Sequence, residues 1–437
     1  MSKQLETAKG VRDWYSDKAI LRKKIKTNLS SLFEKYGFMP LETPMIELQE
    51  TLFKKGGDEI HSEVFKLSDR GKRDLALRFD HTVPLARFIS TNDVNLPLKR
   101  YAIGEVFRDG PAQVEQGRYR IFTQCDVDIV GSKSLFAEFE LLSLVKDAFN
   151  TLGLKDIELN INNRVILDTA LNKLKVKENH KTQIISELDK LDKIGKNDVV
   201  NNIANITSDY LTKSKVEELL NVLEPNKSNE ATYNKIANYL PQNQGLEDIK
   251  KIIDYSNKSN YDFVVFNPSL ARGLDYYTGT VFEAYTKDKE NLKAAISGGG
   301  RYDNMLREFT QSKEKIPAVG LSFGLERLVH ILDDSNQKKN VSDLYLISMP
   351  GCMQYALDVA NTLRLSNINV SVHLDEEKRI KKALKYANKE QIPYVGIIGD
   401  NELKTNSLAL KNLSTGVQKN VDIQMAYVEI ARNKVCN

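Results

Sequence analysis

The chain has 437 residues, of which 41% are hydrophobic and 28% charged, with a formal net charge of +4. That length exceeds one ordinary core and implies two or three domains of a soluble, globular composition. The charge is too mild to hold a polyanion in bulk, so any nucleic acid must meet local patches. The three scattered cysteines, Cys125, Cys352 and Cys436, exclude a disulfide framework and a structural zinc site and point to a reducing compartment. The polar start Met1-Ser2-Lys3-Gln4-Leu5-Glu6 has no apolar leader, and no later run reaches membrane-spanning length. A cytoplasmic location with no membrane partner is expected.

Residues Ser16 to Tyr36 carry Ile20, Leu21, Ile25, Leu29, Leu32 and Phe33 at helical spacing, and Gly37 is a natural stop. Phe38 to Ile46 reads as extended, with Pro40 and Pro44 confining it to a sheet edge or a subunit boundary. Glu63–Leu67 and Asp74–Phe79 read as short strands around a turn. Asp80-His81-Thr82-Val83-Pro84 then opens a helix. Asp80 or Thr82 can cap that helix or present a carboxylate and a hydroxyl to an ammonium group; His81 reads as a structural neighbour rather than a base.

Arg100–Asp109 and Arg118–Val130 alternate as two antiparallel strands joined by a long loop. One face is expected to carry Glu105, Arg108, Arg118, Arg120, Gln124 and Asp128, a costly set unless a polyphosphate and a small polar ligand meet it. Leu135–Leu152 reads as a helix and Ile157–Ile161 as a strand. Residues 165–260, rich in Lys, Asn, Glu and Leu and nearly free of Gly, read as an inserted helical subdomain.

Further on, Ala271-Arg272-Gly273-Leu274-Asp275-Tyr276-Tyr277 is a polar-aromatic turn before a strand from Thr280. Ala294–Asp303 reads as a strand ending in three glycines, which let a backbone approach a ligand closely. They match neither a dinucleotide fingerprint nor a P-loop. Ala318–Val329 is a strand turning into a helix, with Arg327 near the helix start, where an arginine joins the helix N-terminus in holding phosphate. After a polar linker around Ser335–Ser342, strands alternate with helices as in a small, mostly parallel α/β domain. Its basic patch is Lys378, Arg379, Lys381, Lys382 and Lys385.

These stretches together resemble a class II aminoacyl-tRNA synthetase, and specifically the histidyl-tRNA synthetases, over essentially the whole chain. The hairpin resembles motif 2, Gly320–Arg327 motif 3, and the 38–46 region with its helix motif 1. Arg272–Tyr277 and Ser297–Asp303 resemble the two signatures particular to the histidine enzymes. The resemblance implies an α+β catalytic domain on a mostly antiparallel sheet (residues 1–164 and 261–334), the helical insertion 165–260, and an α/β anticodon-binding domain (341–437). It implies a homodimer whose interface involves the 38–46 region. It also implies the reaction: histidine and ATP, as its Mg²⁺ complex, give histidyl-adenylate and pyrophosphate, and the histidyl group passes to the tRNA. No tightly bound protein metal is expected.

By the same resemblance Arg108 holds the α-phosphate and the substrate carboxylate, Arg272 is the catalytic cation, and Arg327 meets the γ-phosphate. Phe122 stacks on adenine with Glu105 and Arg118 nearby. Asp80, Thr82 and Gln124 hold the α-amino group, with His81 between the first two. Asp128 and Tyr277 read the imidazole, and Tyr276 lines the pocket. His81 departs from the small or apolar residue usual there. Two non-synthetase relatives are opposed by the intact arginines and the C-terminal domain: the synthetase-like regulatory subunit of ATP phosphoribosyltransferase and the tRNA sensors fused to kinases.

Overall fold

A computed structural model describes residues 5–54, 58–114, 117–273, 276–287, 294–310, 315–333, 338–374 and 380–435. The chain separates into two compact units, residues 1–12 with 24–332 and residues 13–23 with 333–437.

The first unit is built on an eight-stranded sheet in the order β1-β5-β6-β11-β10-β9-β7-β8. The strands are β1 (Met39–Pro40), β5 (Leu98–Phe107), β6 (Ile121–Val130), β7 (Ile157–Asn163), β8 (Val264–Phe266), β9 (Thr280–Thr286), β10 (Ser297–Arg301) and β11 (Ala318–Gly324). Every pairing from β5 through to β7 is antiparallel; only the outermost pairs, β1 with β5 and β7 with β8, are parallel. A second sheet, β2-β4-β3, joins β2 (Ile46–Leu48), β4 (Asp74–Leu77) and β3 (Lys66–Ser68).

The helix Ser16–Lys35 ends where Gly37 takes φ +77°, and the prolines leave Met39–Pro40 at the sheet edge as their missing N–H groups require. Ile25, Leu29 and Phe33 of that helix are fully buried, and the Phe33 ring lies 6.2 Å from that of Phe323. Between β7 and β8 a run of helices extends from Arg164–Lys173 to Gln244–Lys258. Asn163 caps the first of them, accepting from the Val165 N–H at 3.0 Å. Among the described residues no helix is long and apolar enough to cross a membrane.

Three local expectations change. The stretch from Glu63 is not a strand: Asp58–Glu63 is helical, with Ile60 and Val64 both buried at a spacing of four, and pairing begins only at Lys66. The glycines Gly298–Gly300 lie within β10 rather than at its end, paired on both sides to β9 and β11. The second unit's sheet is mixed, in the order β13-β12-β14-β15-β16. β13 (Val370–Val372), β12 (Leu344–Ser348) and β14 (Tyr394–Ile398) are parallel, whereas β15 (Ser407–Asn412) and β16 (Gln418–Asp422) return antiparallel through a turn with Gly416 at φ +74°. Lys381, Lys382 and Lys385 are exposed on the helix Ile380–Lys389; Lys378 and Arg379 lie outside the described residues.

Candidate active site

The β5–β6 register decides which side chains share a face. Arg100 pairs with Asp128, Ala102 with Asp126, Gly104 with Gln124 and Val106 with Phe122, so these line one face together. Glu105 pairs with Thr123 and points the other way, exposed, so it does not share the face of Gln124 and Asp128. The reason is parity: a residue at an odd position cannot sit with those at even ones in an unbulged pair. Arg118 and Arg120 lie in the connection, where Arg118 makes only an isolated bridge with Gln113.

At the far end of that face a buried polar network forms. Asp128, 4% exposed, is held on one oxygen by Arg100 at 2.7 Å and on the other by the Tyr302 hydroxyl. Arg100 itself is 1% exposed, and its guanidinium also reaches the His81 carbonyl at 3.3 Å. A Cβ at Gly320 would collide with Asp128 Oδ1, so only glycine leaves the carboxylate room. Asp126 is pushed up to about 7 by burial, with Asp128 adding to the shift and Arg100 opposing it. Asp128 and Asp80 are raised by burial too, each opposed by Arg100.

Asp80 caps the helix Thr82–Thr91, its Oδ1 accepting the Thr82 and Val83 N–H groups at 3.0 Å each. Its other oxygen is buried with no hydrogen-bond partner, as is Oε1 of Gln124. Two such acceptors are what an ammonium group satisfies. Thr82 begins the helix. His81 packs against Gly104 on that same face, its ring where a Cβ would stand, donating from Nε2 to the Gly104 carbonyl at 3.2 Å. Burial, then Arg100 and Arg78, hold its pKa down to about 3, so it stays neutral. Tyr276, Tyr277 and Tyr302 pack in one buried cluster; the first two rings are 4.7 Å apart.

At the near end the arginines gather. The Arg108 guanidinium lies 4.1 Å from the Phe79 ring centroid and 5.2 Å from that of Phe122. Arg327, in the first turn of the helix Leu325–Leu332, donates to the Ala295 carbonyl, and the loop at Gly117 closes against its side chain. Burial lowers its pKa, Arg108, Arg272 and Arg118 lower it further, and Glu283 opposes them. Arg272 pairs with Glu283; burial alone would lower its pKa, but Tyr277, Glu283 and Asp189 together raise it. Arg118 reaches Glu63 at 3.6 Å. Asp275, beside the signature tyrosines, lies outside the described residues.

The sequence reading missed Arg100, Asp126, Tyr302 and Glu283. A stride of two backwards from Arg108 reaches Arg100, and one of two from Gln124 reaches Asp126, so alternation carried that signal; Tyr302 lies within the second signature stretch, which marks it without naming a role, and Glu283 gave none outside the three-dimensional structure.

A family model described as histidyl-tRNA synthetase matches residues 10–328, and one described as an anticodon binding domain matches residues 343–433. The chain belongs to the histidyl-tRNA synthetase family. Within that family, histidine–tRNA ligase 1 of Bacillus cereus is 38% identical over 430 residues, spanning 96% of this chain and 98% of the relative. Histidine–tRNA ligase of Wolinella succinogenes is 36% identical over 430 residues, spanning 94% of this chain and 95% of the relative. The crystal structure of histidyl-tRNA synthetase from Nostoc sp. PCC 7120 matches with a TM-score of 0.83 at 27% identity, covering 99% of this chain and all of that one. A Bacillus halodurans structure titled as an ATP phosphoribosyltransferase regulatory subunit/histidyl-tRNA synthetase matches at 0.73 and 22% identity, covering 91% of this chain and 99% of that one, and shares the fold. The layout is that of a class II catalytic domain followed by an anticodon-binding domain.

Proposed function

We infer that the chain is a histidine–tRNA ligase, which activates L-histidine with ATP to histidyl-adenylate and pyrophosphate and transfers histidine to the 3′ end of its tRNA. One observation carries the chemistry. A single strand face leads from an arginine cluster, Arg108, Arg118, Arg272 and Arg327, to a pocket of buried acids, Asp80, Asp126 and Asp128. The first suits a polyphosphate and the second an amino acid with a polar ring.

Attack of the histidine carboxylate on the α-phosphate builds negative charge, which positioned cations stabilise better than any general base. We assign that work to Arg108 and Arg272, with Arg118 and Arg327 on the outer phosphates and Phe122 against adenine. Magnesium enters with ATP as part of the substrate. The free acceptor oxygens of Asp80 and Gln124, with Thr82, receive the α-amino group. Asp128 and Tyr277 read the imidazole, and Tyr276 lines the pocket. Glu105 and His81 have no part in this reading, since Glu105 faces away and the neutral His81 ring is buried against Gly104 with Nε2 spent on a backbone carbonyl.

The domain from about residue 341 is proposed to hold the tRNA anticodon, and residues 165–260 to form a separate insertion. Homodimer formation is supported by apolar side chains on and beside β1 and β2, including Met39 at 65% exposure with Met45, Ile46 and Leu48. The buried thiols of Cys125 and Cys352 fit a cytoplasmic location. Pyrophosphate exchange with each of the twenty amino acids tests the reading. Histidine alone should support exchange; exchange with another amino acid, or with none, overturns it.

A further inference from the structure

Glu283 lies on β9 directly across from Gly298 of β10. The Arg272 guanidinium covers that pair: a Cβ at Gly298 would lie 2.5 Å from its Nη1 and 3.0 Å from its Cζ, so it rests against bare backbone. Nη1 donates to one oxygen of Glu283, and the Tyr285 hydroxyl, two residues along the same face, donates to the other. Both carboxylate oxygens are thus committed, and the carboxylate is fixed before it fixes the arginine. Nε of Arg272 is buried with no hydrogen-bond partner. Glu283 engages a nitrogen on the other side of the guanidinium, which leaves the Nε edge for an oxyanion.

Glu283 is also a carboxylate among arginines. It opposes the mutual repulsion of Arg327, Arg108, Arg272 and Arg118, so it competes with an incoming polyphosphate for the same charge. The two roles pull in opposite directions on the two kinetic constants.

We propose that Glu283 is the positioning residue for Arg272: it holds the guanidinium against Gly298 with its Nε edge toward the reacting phosphate, at a cost in ground-state ATP affinity. This rests on the reading of Arg272 as the adenylation cation. Tyr285 supports Glu283 in turn.

The test is single-turnover adenylation and pyrophosphate exchange with the full-length chain carrying Glu283→Ala, Glu283→Gln, Tyr285→Phe, Arg272→Ala and the Arg272→Ala/Glu283→Ala pair. Glu283→Ala is expected to lower kcat on the order of 10²-fold through misplacement of Arg272, while the KM for ATP falls roughly fivefold as a competing charge is removed. Glu283→Gln keeps an acceptor for Nη1 and should recover most of the lost kcat while retaining the lower KM. Tyr285→Phe should lose only about two- to fivefold in kcat. The double variant should be no slower than Arg272→Ala alone, because the effect passes through Arg272. A Glu283→Ala enzyme with near-normal kcat, or with a raised KM and unchanged kcat, overturns the proposal while Arg272→Ala remains defective. A near-normal Arg272→Ala enzyme instead removes the catalytic reading of Arg272. If Glu283→Ala does not fold, the isosteric Glu283→Gln decides: a KM for ATP that does not fall counts against the proposal.

Discussion

The two ends of the β6 face settle their charge in different ways. At the Asp128 end much of the charge is met within the protein: Asp128 by Arg100 and Tyr302, and one oxygen of Asp80 by two helix N–H groups. At the arginine end, Arg108, Arg118 and Arg272 all destabilise the charge on Arg327, and Glu283 is the carboxylate that opposes them. On the proposed reading the first end discriminates, since fixed polar partners reject a ring that cannot satisfy them. On the same reading the second awaits charge, and a bound polyphosphate would relieve its repulsion.

The comparison breaks most visibly at Asp128. Asp128→Ala leaves Arg100 buried without its closest partner, so stability should fall by about 3–5 kcal/mol. In protein that still folds, kcat/KM for histidine should fall on the order of 10⁴-fold, with the KM for ATP nearly unchanged. Pyrophosphate exchange at varied histidine and varied ATP reads both; equal effects on the two substrates would show that this end does not serve histidine alone.

Arg327→Met probes the other end. It should lower kcat/KM for ATP by roughly 10²–10³-fold, yet leave the ligand-free melting temperature unchanged or raised by about 1–3 °C, because a repelled charge is gone. A clear drop in melting temperature would mean that the arginine cluster is not under electrostatic load.

The smallest effect is a pH dependence. A carboxyl whose folded pKa is raised contributes stability at low pH and loses it as pH rises through the folded value. Asp126, raised to about 7 by burial with Asp128 adding to the shift, loses its contribution between roughly pH 4 and 7. His81 runs the other way. It is held neutral down to about 3, so its contribution is lost as pH falls below the unfolded value of about 6.5. Asp126→Asn removes the first and leaves the second, so stability at pH 7 relative to pH 5 should rise by about 2 kcal/mol compared with the parent. Urea midpoints at the two pH values measure it; no change would mean that Asp126 is ionised throughout.

Much of this was legible in the chain. The hairpin, the helix before Gly37 and the turn from β11 into its helix are local patterns, and local patterns of period 2 or 3.6 survive folding. The misplacement of Glu105 has a plain cause: the aromatic and charged residues were grouped by chemistry, whereas parity within an unbulged ladder governs the face. Asp58–Glu63 was missed because six residues hold too few turns to show a helical period. The glycines of β10 look like a strand end until the pairing on both sides is known; a Cβ at Gly299 or Gly300 would meet the backbone of a neighbouring strand. The grouping of residues 13–23 with the C-terminal unit depends on contacts across more than 300 positions, which no local pattern encodes. The roles proposed for Arg272 and the signature tyrosines rest on the family resemblance alone, because nothing in their spacing names a substrate.

The register of β6 has one more consequence: the strand works as a ruler. Phe122, Gln124, Asp126 and Asp128 stand on one face at every second residue, so the aromatic mark and the carboxylate mark are about 20 Å apart along the strand. Ten consecutive rungs to β5 and seven to β11 keep the scale from slipping. The graduation is coarse, because the smallest change that preserves the face is two residues, or about 6.6 Å. One residue inserted after Gln124 would leave Phe122 where it stands and turn Asp128 to the side now held by Cys125 and Val127. The distance between the two ligand halves is therefore a quantity that this chain can change only in steps too large for either half to follow.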